Sequence, residues 1–386
     1  MKNKEFKIPD KKKLGEVEQL CLITEPYKKS QKIDLHFTQA MREVLLWHQQ
    51  KSIFFSNFLK SQNFDIESWN GDIAFLPYLP TDFFKRHEVK TIQDNEVYLH
   101  LTSSGTTGQK SQIFFDEWSL KSAQSMVDNI FSYYGWTSDE KTNYLLYTYQ
   151  TESDSTLGTA YTDNYLTQYA PINRLDFALK LNGKGGHDFD LYGCLQSLKQ
   201  FAKEQLPLRI FGFPSFLYFT LQRMKDLKFP PLKFPDNSLV FLGGGWKGYA
   251  GDEISKKQLY QMIHDLLGIP DSRIRDGFGS VEHCIPYVEC KFHHFHVPIY
   301  SKVLIRDLYT LDVLGYNKEG FLQFVSPYIT SVPANSVLMG DLAILRKGHD
   351  CGCGLENDWF EVLGRAGVSK NKSCAIAANE LLRSFV

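Results

Sequence analysis

Leu101-Thr-Ser-Ser-Gly-Thr-Thr-Gly-Gln-Lys-Ser111 is the stretch on which the reading of this chain turns. Small residues let backbone come close to a phosphate group, hydroxyls and amides supply donors, and Lys110 adds one cation. The loop follows a strand predicted over Val97 to Leu101, where a phosphate loop belongs. It does not fit G-x-x-x-x-G-K-[ST]: the glycines are Gly105 and Gly108, and the lysine follows Gly108 after one further residue. A Walker-type NTPase is therefore disfavoured, and an ordinary Ser/Gly turn is the competing reading of the loop taken alone.

Upstream, Phe75-Leu-Pro-Tyr-Leu-Pro-Thr-Asp-Phe-Phe-Lys85 is punctuated by prolines and leads into that strand. Before it, Phe37, Met41, Val44, Leu45, Trp47 and His48 recur at helical spacing, which predicts an outer helical layer over 1–70. Downstream, strands are predicted at Tyr144–Tyr149, Leu208–Phe211, Leu239–Leu242 and Ile274–Phe278, with helices at 190–204, 215–226 and 253–267. This alternation predicts a large layered α/β domain with crossover connections over 71–298. From residue 299 to 365 short β segments with turns, such as Lys302–Arg306 and Phe321–Phe324, predict a smaller β-rich subdomain, and 366–386 is a C-terminal tail.

With 386 residues the chain is long enough for a substantial core. Lys plus Arg total 43 against 44 Asp plus Glu, a net charge of -1 that argues against nucleic acid as a partner. The opening MKNKEFKIPDKKK lacks the apolar core of a secretory signal, and no stretch reaches the length of a membrane span, so a cytoplasmic protein is expected. Seven cysteines, unevenly spaced, predict thiols with metal-binding or chemical roles rather than a disulfide framework. The aromatics Phe213, Phe216, Tyr218 and Phe219 could line an acyl pocket or fill a helix core.

The 101–111 loop resembles the phosphate motif of the adenylate-forming superfamily. Within it, Phe241-Leu-Gly-Gly-Gly-Trp-Lys247, Ile274-Arg-Asp276, the 75–85 segment and Lys372-Ser-Cys-Ala375 are similar to their counterparts in the LuxE acyl-protein synthetases of bacterial bioluminescence. The resemblance implies that Thr102, Ser103, Ser104, Gly105, Thr106, Thr107 and Gly108 cradle the phosphates of ATP. It implies Gly243, Gly244 and Gly245 as the floor under adenine, a use that three glycines after a strand support independently. Within Gly277-Phe-Gly-Ser-Val-Glu282, Glu282 takes the place of the glutamate that holds Mg2+, with Val281 where a hydroxyl residue is usual. Asp341 stands for the acid on the ribose hydroxyls and Arg365 for the hinge arginine, with Gly367 where the hinge acid is usual. About twenty residues follow Arg365, too few for the superfamily's full C-terminal lid domain with its catalytic lysine. Either Lys110 or Lys247 assists instead, or the enzyme is slower than its relatives.

Ser373-Cys-Ala-Ile-Ala-Ala-Asn-Glu-Leu-Leu382 reads as a short helix capped by Ser373. At its start, beside Lys370 and Lys372, Cys374 would favour the thiolate. The resemblance makes it the acyl acceptor; a small apolar helix residue is the alternative. A second constellation comprises Cys284, Cys290, His293, His294, His296, Cys351 and Cys353, from which four ligands would suit tetrahedral zinc. Similarity to phenylacetate-CoA ligase-like relatives that carry zinc selects Cys290, His296, Cys351 and Cys353, although the bioluminescence enzymes lack the Cys-x-Cys.

The resulting expectation is activation of a carboxylic acid, fatty by resemblance, to acyl-AMP with Mg·ATP, then transfer to Cys374 for delivery to a partner such as an acyl reductase. An acyl-CoA ligase using coenzyme A and a non-catalytic scaffold with an adenylation fold are the alternatives.

Overall fold

The computed structural model describes residues 6–103, 110–150, 158–246 and 254–366, with the backbone alone at 158–160 and 163. Contacts divide the chain into two compact units: 134–278, and the segments 1–133 and 279–386 together.

Unbroken apolar strands buried on both faces are the mark of parallel sheet, and the 134–278 unit follows it. Its strands run in the order Ile274–Phe278, Leu239–Gly243, Leu208–Gly212, Thr142–Tyr149, Ile172–Leu181 and His187–Phe189. All neighbours are parallel except the last pair. Helices Gly158–Leu166, Leu191–Glu204, Pro214–Asp226 and Lys256–Leu267 supply the crossovers. Local chemistry sets their ends. Asp190 accepts from the Gly193 amide at the start of one, and Ser255 and Gln258 form a capping box at the start of another, which ends on Gly268 at φ 68°. One face of the sheet, with Leu145, Ile210, Val240 and Ile274, joins the helices in a core that also takes Phe213 and Phe216. Those two aromatics are packing residues.

In the other unit the central element is the long strand Ser336–Arg346, flanked by the antiparallel strands Glu319–Val325 and Trp359–Arg365. Lys302–Arg306, Val313–Leu314 and Phe295–His296 extend the sheet. Leu79–Pro80 pairs with Val337 and Leu338 in parallel, so the proline-punctuated 75–85 segment is tied to this sheet. Residues of the 71–298 stretch are thus shared out: 134–278 form one unit, while 71–133 and 279–298 lie with the β-rich sheet.

The predicted helical layer is helices Gly15–Cys21, Gln31–Lys51 and Ile53–Ser61. The long one is capped by Ser30 and buries Phe37, Met41, Val44, Leu45, Trp47 and His48, the face read from the periodicity. Trp47 Nε1 donates to the Thr330 carbonyl at 2.8 Å, and Thr330 Oγ1 donates to Asp116, the cap of helix Glu117–Tyr133. Among the described residues no helix is long and apolar enough to cross a membrane.

Candidate functional site

The strand Ser336–Arg346 changes partner along one edge. Leu79–Pro80 covers Val337 and Leu338, Trp359–Arg365 covers Asp341 to Arg346, and Asp341 is the first residue on the far side of the switch. Met339 and Gly340 separate the two partners, and the Gly340 carbonyl accepts from the Ala366 amide at 2.9 Å. A break in pairing is where a side chain can be aimed out of a sheet without a neighbour filling the space. Asp341 faces Arg365 across the pair, with Arg365 Nε 3.7 Å from Asp341 Oδ1, and the arginine side chain is largely exposed.

Burial holds the Asp341 carboxyl above its ordinary range; the Arg365 guanidinium opposes this, and the Glu282 charge adds to it. Glu282 is therefore near enough for its charge to act on Asp341. It is 5% exposed and has no hydrogen-bond or ion-pair partner among the described residues. A carboxylate that the fold leaves without a hydrogen-bond or ion-pair partner keeps its lone pairs available, which makes Glu282, beside a second acid, a candidate ligand for a cation. The residue after Glu282 is held firmly. Tyr328 Oη donates to the His283 carbonyl at 2.9 Å, and the His283 ring stacks on Phe324 at 4.6 Å.

The 134–278 unit carries the glycines. Gly243 pairs with Gly277 at the carboxyl ends of adjacent parallel strands, the edge at which open α/β sheets bind ligands. A Cβ on Gly277 would lie 2.6 Å from the Phe241 ring, so that position has no room for a side chain. Gly244 and Gly245 follow at φ 75° and 70°, a left-handed pair that presents bare backbone. Trp246 then packs on Tyr218.

The two flanks of the phosphate-type loop are tied together. Leu99–Thr102 pairs antiparallel with Gln112–Phe115, and Ser103 and Ser111 close the neck, with the Ser103 amide donating to the Ser111 carbonyl at 3.0 Å and Ser103 Oγ accepting from the Ser111 amide at 2.9 Å. Thr102 and Ser103 thus stand at the mouth, and Lys110 is exposed on the returning side. Ser104, Gly105, Thr106, Thr107 and Gly108 lie outside the described residues, as do Lys247 and Cys374.

The Cys and His residues selected by resemblance converge. The ligand atoms of Cys290, His296, Cys351 and Cys353 all lie within 4.8 Å of one another. Cys290 Sγ is 3.5 Å from Cys351 Sγ, and Cys353 Sγ is 3.2 Å from His296 Nε2. Donors on a common ion at zinc bond lengths of about 2.0–2.3 Å stand about 3.5–3.8 Å apart in a tetrahedron, so the set is near that geometry. The surroundings fit the same chemistry. His296 Nδ1 donates to the Asn357 carbonyl at 2.7 Å, which leaves Nε2 with its lone pair toward the cluster. Each of two sulfurs accepts from the amide two residues on: Phe292 N to Cys290 at 3.3 Å and Leu355 N to Cys353 at 3.4 Å. Tight turns make this arrangement, with His293, Gly352 and Gly354 at positive φ. Burial pushes the Cys290 and Cys351 thiols up and the His296 imidazole down. Backbone N–H donors on both thiols work against that cost. Cys284 and His293 are not members of the group, and the amide donors and the Asn357 carbonyl carry no motif that the sequence advertises.

Known proteins place this architecture. The solved open conformation of 2-hydroxyisobutyryl-CoA ligase, in complex with 2-HIB-AMP and CoA, matches with a TM-score of 0.67 at 12% identity, over 90% of this chain and 79% of that one. Its postadenylation state with 2-HIB-AMP matches with a TM-score of 0.65. These likenesses are of fold: a mixed α/β adenylate-forming ligase architecture. In sequence, the chain is 23% identical to the long-chain-fatty-acid–luciferin-component ligase of Aliivibrio fischeri, over 96% of each chain. It is 21% identical to that of Vibrio harveyi, over 80% of this chain and 79% of the relative. The family model described as acyl-protein synthetase, LuxE, matches residues 9–383, nearly the whole chain, which therefore belongs to the LuxE acyl-protein synthetase family of ligases.

Proposed function

We propose that the protein activates a long-chain carboxylic acid with ATP and then holds the acyl group as a thioester on Cys374. The observation that carries the first half is Glu282, a largely buried residue whose carboxylate has no partner among the described residues and whose charge acts on Asp341. A carboxylate with no base of its own, beside a second acid paired only with a largely exposed arginine at 3.7 Å, suits a site completed by Mg2+ and nucleotide. The long-chain acid is proposed from the names of the two bacterial relatives.

In the first half-reaction a carboxylate oxygen of the acid attacks the α-phosphorus of ATP. The new C–O–P linkage forms as the bond to the β-phosphate oxygen breaks, and pyrophosphate leaves with that electron pair. Glu282 would hold Mg2+, which neutralises charge on the phosphates. Asp341 would accept hydrogen bonds from the ribose hydroxyls, and Thr102, Ser103 and Lys110 would flank the phosphate loop; Gly243 to Gly245, by the family resemblance, would offer backbone to adenine. In the second half-reaction the Cys374 thiolate attacks the acyl carbon and AMP departs with the electrons of the broken C–O bond. An acyl reductase is a fitting recipient of the thioester. A structural zinc ion at Cys290, His296, Cys351 and Cys353 would pin the 290–296 segment to the 351–353 turn, and through the His296–Trp359 pair hold the strand that ends at Arg365.

The fold shared with a CoA ligase favours one rival, coenzyme A as the acceptor. Incubation with Mg·ATP and a panel of carboxylic acids, followed by intact mass and peptide mapping, separates the two. The proposal expects an ATP-dependent adduct of one acyl group on Cys374, absent from Cys374→Ser. AMP formed only when coenzyme A is supplied, with no protein adduct, contradicts it.

A further inference from the structure

The four donors account for neither His294 nor its setting. His294 Nδ1 lies 3.1 Å from Cys351 Sγ. Its ring is laid flat on Trp359, with 3.7 Å between centroids and 14° between planes. Trp359 is itself oriented by donating Nε1 to the Lys347 carbonyl at 3.0 Å, and its strand pairs with His296. The Cys290 amide donates to the His294 carbonyl at 3.0 Å, so the backbone that presents the imidazole is tied to a ligand residue. The side chain is thereby held by the indole face and one sulfur, on a backbone tied to Cys290.

On the zinc reading given above, we infer that His294 is a positioning residue of the metal centre, donating an Nδ1–H···S hydrogen bond to the Cys351 thiolate. The sulfur inventory supports this. Cys290 accepts from the Phe292 and His294 amides, Cys353 from the Leu355 amide, and Cys351 from the Cys353 amide. With His294 added, Cys351 has both a backbone and a side-chain donor. A thiolate on a divalent ion keeps much of its negative charge, and N–H donors around it spread that charge and fix the direction of its lone pairs. The stack on Trp359 explains why the imidazole can serve without binding the ion: the plane is set by the indole, and Nδ1 meets the sulfur instead of the centre of the donor set.

Outer partners of this kind are worth about 10–100-fold in metal affinity. The test uses the full-length protein as isolated, with metal analysis, zinc transfer to a chromogenic chelator, and the absorption spectrum of the cobalt-substituted form. His294→Phe keeps a flat ring on Trp359 and removes the donor; His294→Asn puts an amide nitrogen near the place of Nδ1. For His294→Phe the inference expects one bound metal ion and about tenfold or more weaker retention against the chelator. It also expects the sulfur-to-cobalt charge-transfer band to move to lower energy while the four-coordinate d–d envelope stays. His294→Asn should recover most of both effects. Unchanged retention and band position in His294→Phe would overturn the inference and leave His294 as a packing residue. A changed d–d envelope would overturn it in favour of His294 as a direct ligand. Parent protein that holds neither zinc nor cobalt would mean that the zinc reading itself is wrong, a result visible before any variant is made.

Discussion

The cysteine–histidine cluster and the Glu282–Asp341 pair belong to the same compact unit, yet they are built in opposite ways. Around the cluster every donor set has its own support: amides two residues on for the sulfurs, a carbonyl for His296 Nδ1, an aromatic wall from Trp359. Around the acids support is withheld. Glu282 has no partner among the described residues, and Asp341 has only a largely exposed arginine at 3.7 Å. A group that holds a fold together is best satisfied by the fold; a group that must exchange a charged substrate is best left unsatisfied until that substrate arrives.

That contrast can be broken by mutation, because the two regions should respond oppositely. Glu282→Gln is expected to cut ATP–pyrophosphate exchange by about 100-fold or more while leaving the melting temperature unchanged, since the carboxylate makes no hydrogen bond or ion pair with the described residues. Cys351→Ser, or prolonged chelation, is expected to lower the melting temperature by about 5 °C or more and to reduce exchange only in step with the folded fraction. A variant of either region that showed the other's pattern would dissolve the distinction.

Asp341→Asn sharpens it. Because burial holds this carboxyl above its ordinary 3.8, the folded protein keeps a proton that the unfolded chain gives up. The ionised side chain therefore costs stability once the pH climbs through that raised value, and none below 3.8. The neutral asparagine should melt higher than the parent at pH 7 and equal to it near pH 3, while KM for ATP rises about tenfold. Melting curves at the two pH values with exchange kinetics decide it. The smallest effect is at the glycines. Gly244→Ala puts a side chain at φ 75° and should cost about 1 kcal/mol of stability, read from urea unfolding.

How much of this could be read in advance varied with the physics involved. The strands at 142–149, 208–212, 239–243 and 274–278 are buried apolar runs bounded by turn residues, so composition alone marks them. Ile172–Leu181 was not legible, because its exposed polar start, Ile-Asn-Arg-Leu-Asp, breaks the apolar run. The convergence of Cys290 and His296 with Cys351 and Cys353 needed the family resemblance, since seven candidate ligands allow many sets of four. His294 remained hidden, because its role depends on a stack with Trp359, 65 residues on, that no local spacing encodes. The meaning of Asp341 is partly topological: a Gly-Asp dipeptide is commonplace, and only the fold sets this one where the strand changes partner, opposite Arg365.

The most direct test of the account is ATP–pyrophosphate exchange by the purified parent protein with Mg2+ and long-chain carboxylic acids, beside Glu282→Gln. The account predicts acid-dependent exchange in the parent, nearly abolished in the variant with its fold intact. Absence of exchange across the whole panel of acids, or equal exchange by parent and variant, would contradict it.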